Sequence, residues 1–439
     1  MDVWHRLGTV GLKLAYLHGQ SNPVAVAGHM LERIDRLNPR INVISQLDRD
    51  SVLRAAHGSA SRFQTDMQRP LEGVPMAVSS NIAVRGLENR AGMEARRGMV
   101  CSEDAAVVTQ LREAGAILLG TLAMDEAGVG CTGDNPWSGR TYNPHGDGLS
   151  PAGAMGGCGA AVAAGFALAA IGGDTLGATR VPAAACGVFA LRPSRGAMDL
   201  DGLLPLNPSF DALAICTRSM DDLSAILSTI APPDLNAALN PFEIKTLYET
   251  DDLGLNEDVA AHYGYALSLL PEVPTDLDLP APPTRIGKAA RNYTDYCLAA
   301  ELAALGEERC ALLSDAMQRR IERVLSQNPE LLDEDMDALR LAGQAMREQI
   351  GADNLLLTPA MTHPADMHGA DHAPSMNDLA ILADVSGLPA IVFPVGMTGG
   401  NLPLSLQLIG PMGSEALLIA QARMLTDRIR GYTPPQSWW

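Results

Sequence analysis

The residues best placed to do chemistry in this chain sit on two glycine-rich turns. The first, LSPAGAMGGCGAAVAAG (149–165), runs into a small-sided helix; the second, GDTLGATRVPAAACG (173–187), follows a strand-like segment. Turns of this composition bring backbone N–H groups close to an anionic or reactive atom. Cys158 stands at the start of the first helix, where the helix dipole lowers a thiol pKa, and is one candidate nucleophile. Cys131, in GCTGDNP, is a second. The hydroxyls of Ser79, Ser80 and Ser150 have no basic partner near them in sequence, although a histidine distant along the chain could still supply one.

A third group lies in MTHPADMHGADHAPSMND (361–378), where His363, His368 and His372 alternate with Asp366 and Asp371. These are donors that zinc accepts. In a Pro- and Gly-rich loop they do not share the fixed face of a helix, so a loop beside a cleft is the expectation, and no metal. Asp174 and Arg180 flank the second turn and suit a charge-assisted hydrogen bond that holds it.

The elements that must position these groups alternate. PVAVAGHMLERIDRLNPRINVI opens a helical region over 23–65, with apolar residues at three- and four-residue steps and a proline near its start. LEGVPMAVSSNIAV (71–84) reads as a turn and strand, and DAAVVTQLREAGAILLGT (104–121) as a helix feeding a strand. Residues 156–170 read as a helix too small-sided for the surface. NLLLTPAM, LAILADVSGLPAIVFPV and LSLQLIGP have strand character, and EALLIAQARMLTDRI closes the chain as a helix. This alternation predicts an α/β core with helices on both faces of the sheet, in one domain over 1–439. The stretch 232–285 is acidic and proline-rich and is expected to form a surface excursion. Residues 290–350 read as two amphipathic helices.

Composition bounds the function. With 51 acidic against 32 basic residues the net charge is −19, so steering toward nucleic acid or an anionic membrane is excluded. No apolar run reaches 18 residues, and the N-terminus lacks the layout of a signal peptide. Seven dispersed cysteines fit reduced thiols in a cytoplasmic protein.

Four separated segments resemble the amidase signature family. GVPMAVSSNIAV is similar to its G-x-P-x-x-V-K-D-N-I-x-V. SEDAAVVTQLREAGAILLGTLAMDEAGVGCTGDNPWSGRTYNP follows its D-A-x-V-V to T-x-N-P stretch. GDTLGATRVPAAACGVFALRPSRG matches its S-D-T-G-G-S-I-R-x-P-A-x-x-C-G-V-x-G-L-K-P-T-x-G. DVSGLPAIVFPVGMTGGNLPLSLQLIGP resembles its C-terminal A-G-L-P-A segment ending in L-Q-L-I-G. The resemblance implies an α/β/α sandwich with a mixed β-sheet. It also implies acyl transfer by a serine nucleophile, a relay serine on a cis peptide and a lysine base, with amides forming an oxyanion hole.

Carried onto this chain, the lysine position is Ser79, the relay serine Ala154 and the nucleophile Ala178. Neither alanine has a proton to give or accept, and a serine is no base at neutral pH. The oxyanion turn becomes Thr175-Leu176-Gly177, where Leu176 is expected to confine the backbone to negative φ. Met155 replaces a small polar residue, and the bond before Ala154 is expected to be trans. Cys186 matches the family's structural cysteine. The resemblance thus implies a catalytically degenerate amidase, a pseudo-amidase acting as a scaffold or ligand-binding subunit. A protein partner or homo-oligomer, a small amide or carboxylate in the cleft, and no cofactor go with that reading. The alternative is a hydrolase of carbon–nitrogen bonds rebuilt on Cys158, Cys131 or the loop of His363, His368 and His372.

Overall fold

The computed structural model describes residues 3–235, 242–247, 253–370, 374–429 and 431–436. Its strands are β1 (Ile44–Gln46), β2 (Pro75–Ser79), β3 (Ile117–Leu122), β4 (Asp134–Asn135), β5 (Gly139–Arg140), β6 (Ala169–Gly173), β7 (Phe189–Arg192), β8 (Leu213–Thr217), β9 (Glu243–Leu247), β10 (Thr275–Leu277), β11 (Asn354–Pro359), β12 (Ala390–Met397) and β13 (Pro403–Ile409). Eleven of them form one mixed sheet in the order β1-β3-β2-β6-β8-β7-β12-β13-β11-β9-β10, and β4 and β5 form a small hairpin apart from it. Strands β3, β2 and β6 run parallel, β6, β8, β7, β12, β13 and β11 alternate, and β11, β9 and β10 are parallel again.

PMAVS in β2 and AAIGG in β6 are buried at every position. Strands covered on both faces have no solvent side to mark with polar residues, so they read as continuous apolar or small runs. The helix Gly156–Ala163 lies buried along its whole length. A Cβ at Gly159 would sit 2.3 Å from the Pro182 carbonyl oxygen, and one at Gly157 2.4 Å from that of Ala123. Close backbone approach, to the helix Arg180–Ala185 on one side and to the chain after β3 on the other, accounts for the small-residue text.

Several boundaries differ from the sequence expectation. The region 23–65 is two helices, Pro23–Ile41 and Arg49–Gln64, with β1 between them. The Asn22 side chain caps the first by accepting the Ala25 N–H at 2.9 Å, and Asn42 ends it in the left-handed region. The small-sided helix stops at Ala163, and Ala169 already belongs to β6. LAILADVS is a helix, Asp378–Ser386, closed by Gly387 at φ 74°, and only AIVFPVGM is strand. Being buried all round, that helix lacks the periodicity that separates helix from strand in a short apolar run. Residues 290–350 lie in four helices: Pro283–Ala303, Glu307–Cys310, Asp315–Leu325 and Pro329–Ile350.

The acidic stretch 232–285 is not an excursion in its described part. It supplies β9 and β10, the last two strands of the sheet, and the helix Glu257–Ser268, with Leu247, Val259, Tyr263 and Leu277 buried. Parallel edge pairing needs only a few inward apolar residues, and the acidic residues decorate the remaining face. Among the described residues no helix is long and apolar enough to cross a membrane.

Candidate functional site

β6 ends at Gly173, and Asp174 opens the second glycine turn. The Asp174 carboxylate accepts the N–H groups of Thr179 (2.9 Å) and Arg180 (3.0 Å) and pairs with Arg180 Nε at 2.6 Å. Arg180 continues to Asp384 Oδ2 at 2.7 Å and to Gln407 Oε1 at 2.5 Å. Arg192 pairs with Asp384 Oδ1 at 3.0 Å and donates to the Asp174 carbonyl at 2.5 Å. The two arginines and two aspartates are fully shielded from solvent. Two cations and two anions thus balance beneath the turn, each with hydrogen-bond partners, although Arg192 Nε itself has none.

The turn above this network keeps its shape without its glycine. Leu176 has φ 58° and ψ 32°, so the expected confinement to negative φ is corrected. Its N–H donates to Asp384 Oδ1 (2.9 Å) and its carbonyl accepts from Asn377 Nδ2 (3.1 Å), while its side chain packs on the C-terminal apolar cluster. These contacts offset the ~1–2 kcal/mol that a left-handed non-glycine residue costs. The Ala178 N–H donates to the Thr175 carbonyl at 3.2 Å. The amides of Leu176, Ala178, Thr179 and Arg180 are therefore all engaged by the protein itself.

Ser79 stands at the end of β2, with Oγ donating to Asn81 Oδ1 at 2.5 Å and accepting the Gly173 N–H at 3.3 Å. The first glycine turn reaches the second through the Met155 N–H, which donates to the Ala178 carbonyl at 2.9 Å. The Gly153–Ala154 peptide is cis, correcting the expected trans bond. The Ala154 carbonyl accepts the Asp125 N–H at 2.9 Å, so backbone contacts hold this turn with no side chain at position 154 taking part. The structure brings Ser79, Ala154 and Ala178 to one buried spot at the end of β6, where they present one hydroxyl and two methyl groups.

A cavity of about 220 Å³ lies beside them, lined by Asn81, Arg96, Met155, Thr175, Leu206 and Leu302 among others. Ser79, Ala154 and Ala178 do not line it. Met155, next to Ala154 in the chain, does line it, its Cε 3.4 Å from where a Gly173 Cβ would be. On the wall, Thr175 donates to Asp211 Oδ1 at 2.5 Å, and Asp211 accepts the amides of Leu206 and Asn207. Burial raises the Asp211 pKa against the pull of those donors and Arg192.

The other candidate groups are dispersed. Cys158 is completely buried, and burial pushes its thiol up to about 12 despite a bond with Thr179, so desolvation overrides the helix terminus. At neutral pH it carries negligible thiolate. Cys131 is half-buried, and burial first and Asp125 second raise its thiol too. Cys186 is buried, as a structural residue is. His368 bonds the Thr141 carbonyl at 2.7 Å and meets Tyr142 edge-on, whereas His363 bonds Thr362. His372 lies outside the described residues. Among those described, no three His, Cys, Asp or Glu side chains are grouped to hold a metal.

Sequence reasoning missed Arg192, Asp384 and Asp125. Arg192 and Asp384 are lone charges inside apolar text (FALRPS, LAILADVSG), which is the signal of a paired or desolvated buried group, whereas Asp125 is followed directly by Glu126 in TLAMDEAG. Asp125 is buried with Oδ1 lacking a hydrogen-bond partner, and burial pushes its carboxyl up to about 7.

Comparison with known proteins gives a consistent result. The Amidase family profile matches residues 25–250, just over half of the chain. A subunit of the glutamyl-tRNA(Gln) amidotransferase of Thermus thermophilus is 30% identical over 450 aligned positions, covering 92% of this chain and 93% of that one. Among solved structures, a crystal structure of an amidase superposes with a TM-score of 0.88 at 25% identity, over 96% of this chain and 100% of the other. A chain from a vestigial protein complex connected with the origin of an s-triazine catabolic enzyme superposes at 0.90 with 23% identity, over 98% and 100%.

Proposed function

Given that this chain belongs to the amidase family, we propose that it keeps the family's scaffold without its chemistry, as a pseudo-amidase that serves as a partner or ligand-binding subunit. One observation carries the reading: at the spot where the two glycine turns meet, Ala154 and Ala178 offer methyl groups where the family motif has hydroxyls. Ser79, at the lysine position, is tied to Asn81 and Gly173, and among the described residues no basic side chain bonds it. A nucleophile of this class needs an adjacent proton acceptor and free amides aimed at the developing oxyanion. Here no acceptor bonds Ser79 beyond Asn81, and within the oxyanion turn the Leu176 amide is spent on Asp384, as those of Ala178, Thr179 and Arg180 beside it are on other protein atoms.

The cavity beside Met155 suits a small amide or carboxylate, with Asn81 and Thr175 as polar contacts, Arg96 as cation, the acidic side chains of Asp211 and Glu301 favouring the amide, and leucines as walls. A role beside another protein is supported by the Thermus relative, which is by name one subunit of an amidotransferase. A cytoplasmic setting is supported by cysteines that stand free in the structure.

The test is ammonia release from glutamine, benzamide and acetamide by purified protein, run beside isolation of the native protein from its source cells with sizing and mass spectrometry. The expected result is no release above the blank, and recovery in fixed stoichiometry with another polypeptide. Sustained release that copurifies with the chain and survives a change of expression host would overturn the reading.

A further inference from the structure

A surface groove of about 260 Å³ opens beside the Asp384 backbone, lined by Arg195, Ser209, Tyr293, Arg340 and Arg347 over an apolar floor of Phe210, Leu339 and Val385. It shares no lining residue with the cavity beside Met155. Three guanidinium groups around one groove are unexpected on a chain of net charge −19, because like charges repel unless something opposes them.

Carboxylates and backbone carbonyls of the protein offset part of that repulsion. Arg340 has one carboxylate neighbour, Asp337 at 3.4 Å, and both side chains are largely exposed. Among the described residues Arg195 and Arg347 form no ion pair; each donates to a backbone carbonyl instead, Asp384 at 2.6 Å and Ser386 at 3.1 Å. Those bonds fix the two heads. They are also seated on glycines: a Cβ at Gly387 would come within 2.9 Å of Arg195 Cζ, and one at Gly343 within 3.2 Å of Arg347 Nη1. Burial first and the Arg192 field second lower the Arg195 pKa, against the field of Asp384, and Arg347 adds to the fall.

The remaining walls define what the cations face. Tyr293 meets Phe210 edge-on, with ring centroids 5.9 Å apart, and its hydroxyl lies 3.4 Å from Ser209 Oγ. The groove therefore joins a cationic rim, two hydroxyls and an aromatic-aliphatic floor.

We propose that this groove is a binding site for a small aromatic oxyanion, a carboxylate or a phosphate monoester whose ring lies on the Phe210–Leu339 floor while its oxygens meet the arginines. Guanidinium groups bind such oxyanions through paired N–H donors, and an anion there relieves the repulsion among the three. The site does not depend on what the cavity beside Met155 does.

The probes are phenyl phosphate, benzoate and inorganic phosphate, titrated calorimetrically at low salt into the wild type, Arg340→Ala and Arg319→Ala. Arg340 is exposed, so its removal leaves the fold intact; Arg319 is an exposed arginine outside the groove and controls for net charge. Expected is one-to-one binding of at least one aromatic anion, tighter than inorganic phosphate. Arg340→Ala should weaken it about tenfold and Arg319→Ala leave it unchanged. The preferred aromatic probe then identifies the oxyanion. Equal weakening by both variants would reduce the effect to diffuse charge and overturn the proposal. So would absence of aromatic binding, or inorganic phosphate binding as tightly as phenyl phosphate.

Discussion

Replacing Asp384 by alanine should be among the most damaging single changes in the protein. Its carboxylate is fully buried, meets Arg180 at 2.7 Å and Arg192 at 3.0 Å, and accepts the Leu176 N–H at 2.9 Å. The wild-type cluster of Arg180, Arg192, Asp174 and Asp384 is neutral; the variant leaves one buried positive charge without a counter-ion. Breaking a buried pair in this way costs about 3–5 kcal/mol. The orphaned Leu176 amide adds ~1–3 kcal/mol, although contributions within one network do not simply sum. A total near 5 kcal/mol compares with the whole stability of a domain, of order 5–15 kcal/mol.

The exposed pair Arg423–Asp221, at 2.7 Å, provides the internal scale, since Asp221→Ala should cost no more than about 1 kcal/mol. The assay is the urea midpoint followed by circular dichroism and tryptophan fluorescence together, because a chain this long need not unfold in one step. Asp384→Ala should unfold at far lower urea or fail to accumulate as soluble protein. Adding Arg192→Met to it should restore part of the loss by restoring neutrality. If Asp384→Ala shifts the midpoint no further than Asp221→Ala, the turn is not anchored by a balanced buried network.

Asp125 predicts a pH dependence. Burial pushes its folded pKa up to about 7, with the Thr132 and Gly133 amides opposing and Asp134 adding to the rise, so its stabilising contribution is full below an unfolded value of about 4 and is lost as pH climbs to 7. Between about pH 4 and pH 8 the wild type should lose on the order of 4 kcal/mol relative to Asp125→Asn, and parallel denaturation profiles for the two would exclude this. Glycine substitutions should split in sign. Gly159→Ala puts a Cβ 2.3 Å from the Pro182 oxygen and should cost ~3 kcal/mol, whereas Gly28→Ala, in a helix with nothing within 4 Å, should gain up to ~1 kcal/mol. Thermal midpoints moving in the same direction would remove close packing as the reason for the Gly/Ala helix.

The scaffold was legible without coordinates, because apolar periodicity and motif order are local properties of the chain. The buried strand β2 stands out as an apolar run, β13 as a segment of strand character, and the helix Glu415–Ile429 as a periodic one. The side chains carried by the two glycine turns were legible as well, since a missing hydroxyl shows in the residue type alone.

The rest depended on assembly. Whether LAILADVS is helix or strand turns on what surrounds it, and a helix buried on every side shows no polar face to betray it. The acidic 232–285 stretch reads as surface until the parallel pairing of β9 with β11 and β10 gives its few apolar residues a place in the sheet. Leu176 adopts a glycine's conformation because Asp384, 208 residues away in sequence, holds its N–H. The Cys158 thiol is pushed up because the field of a helix terminus is weaker than the cost of desolvating a thiolate, and only packing reveals that cost. Local pattern writes the elements; charge balance and burial, which are properties of the assembled core, set what the site can do.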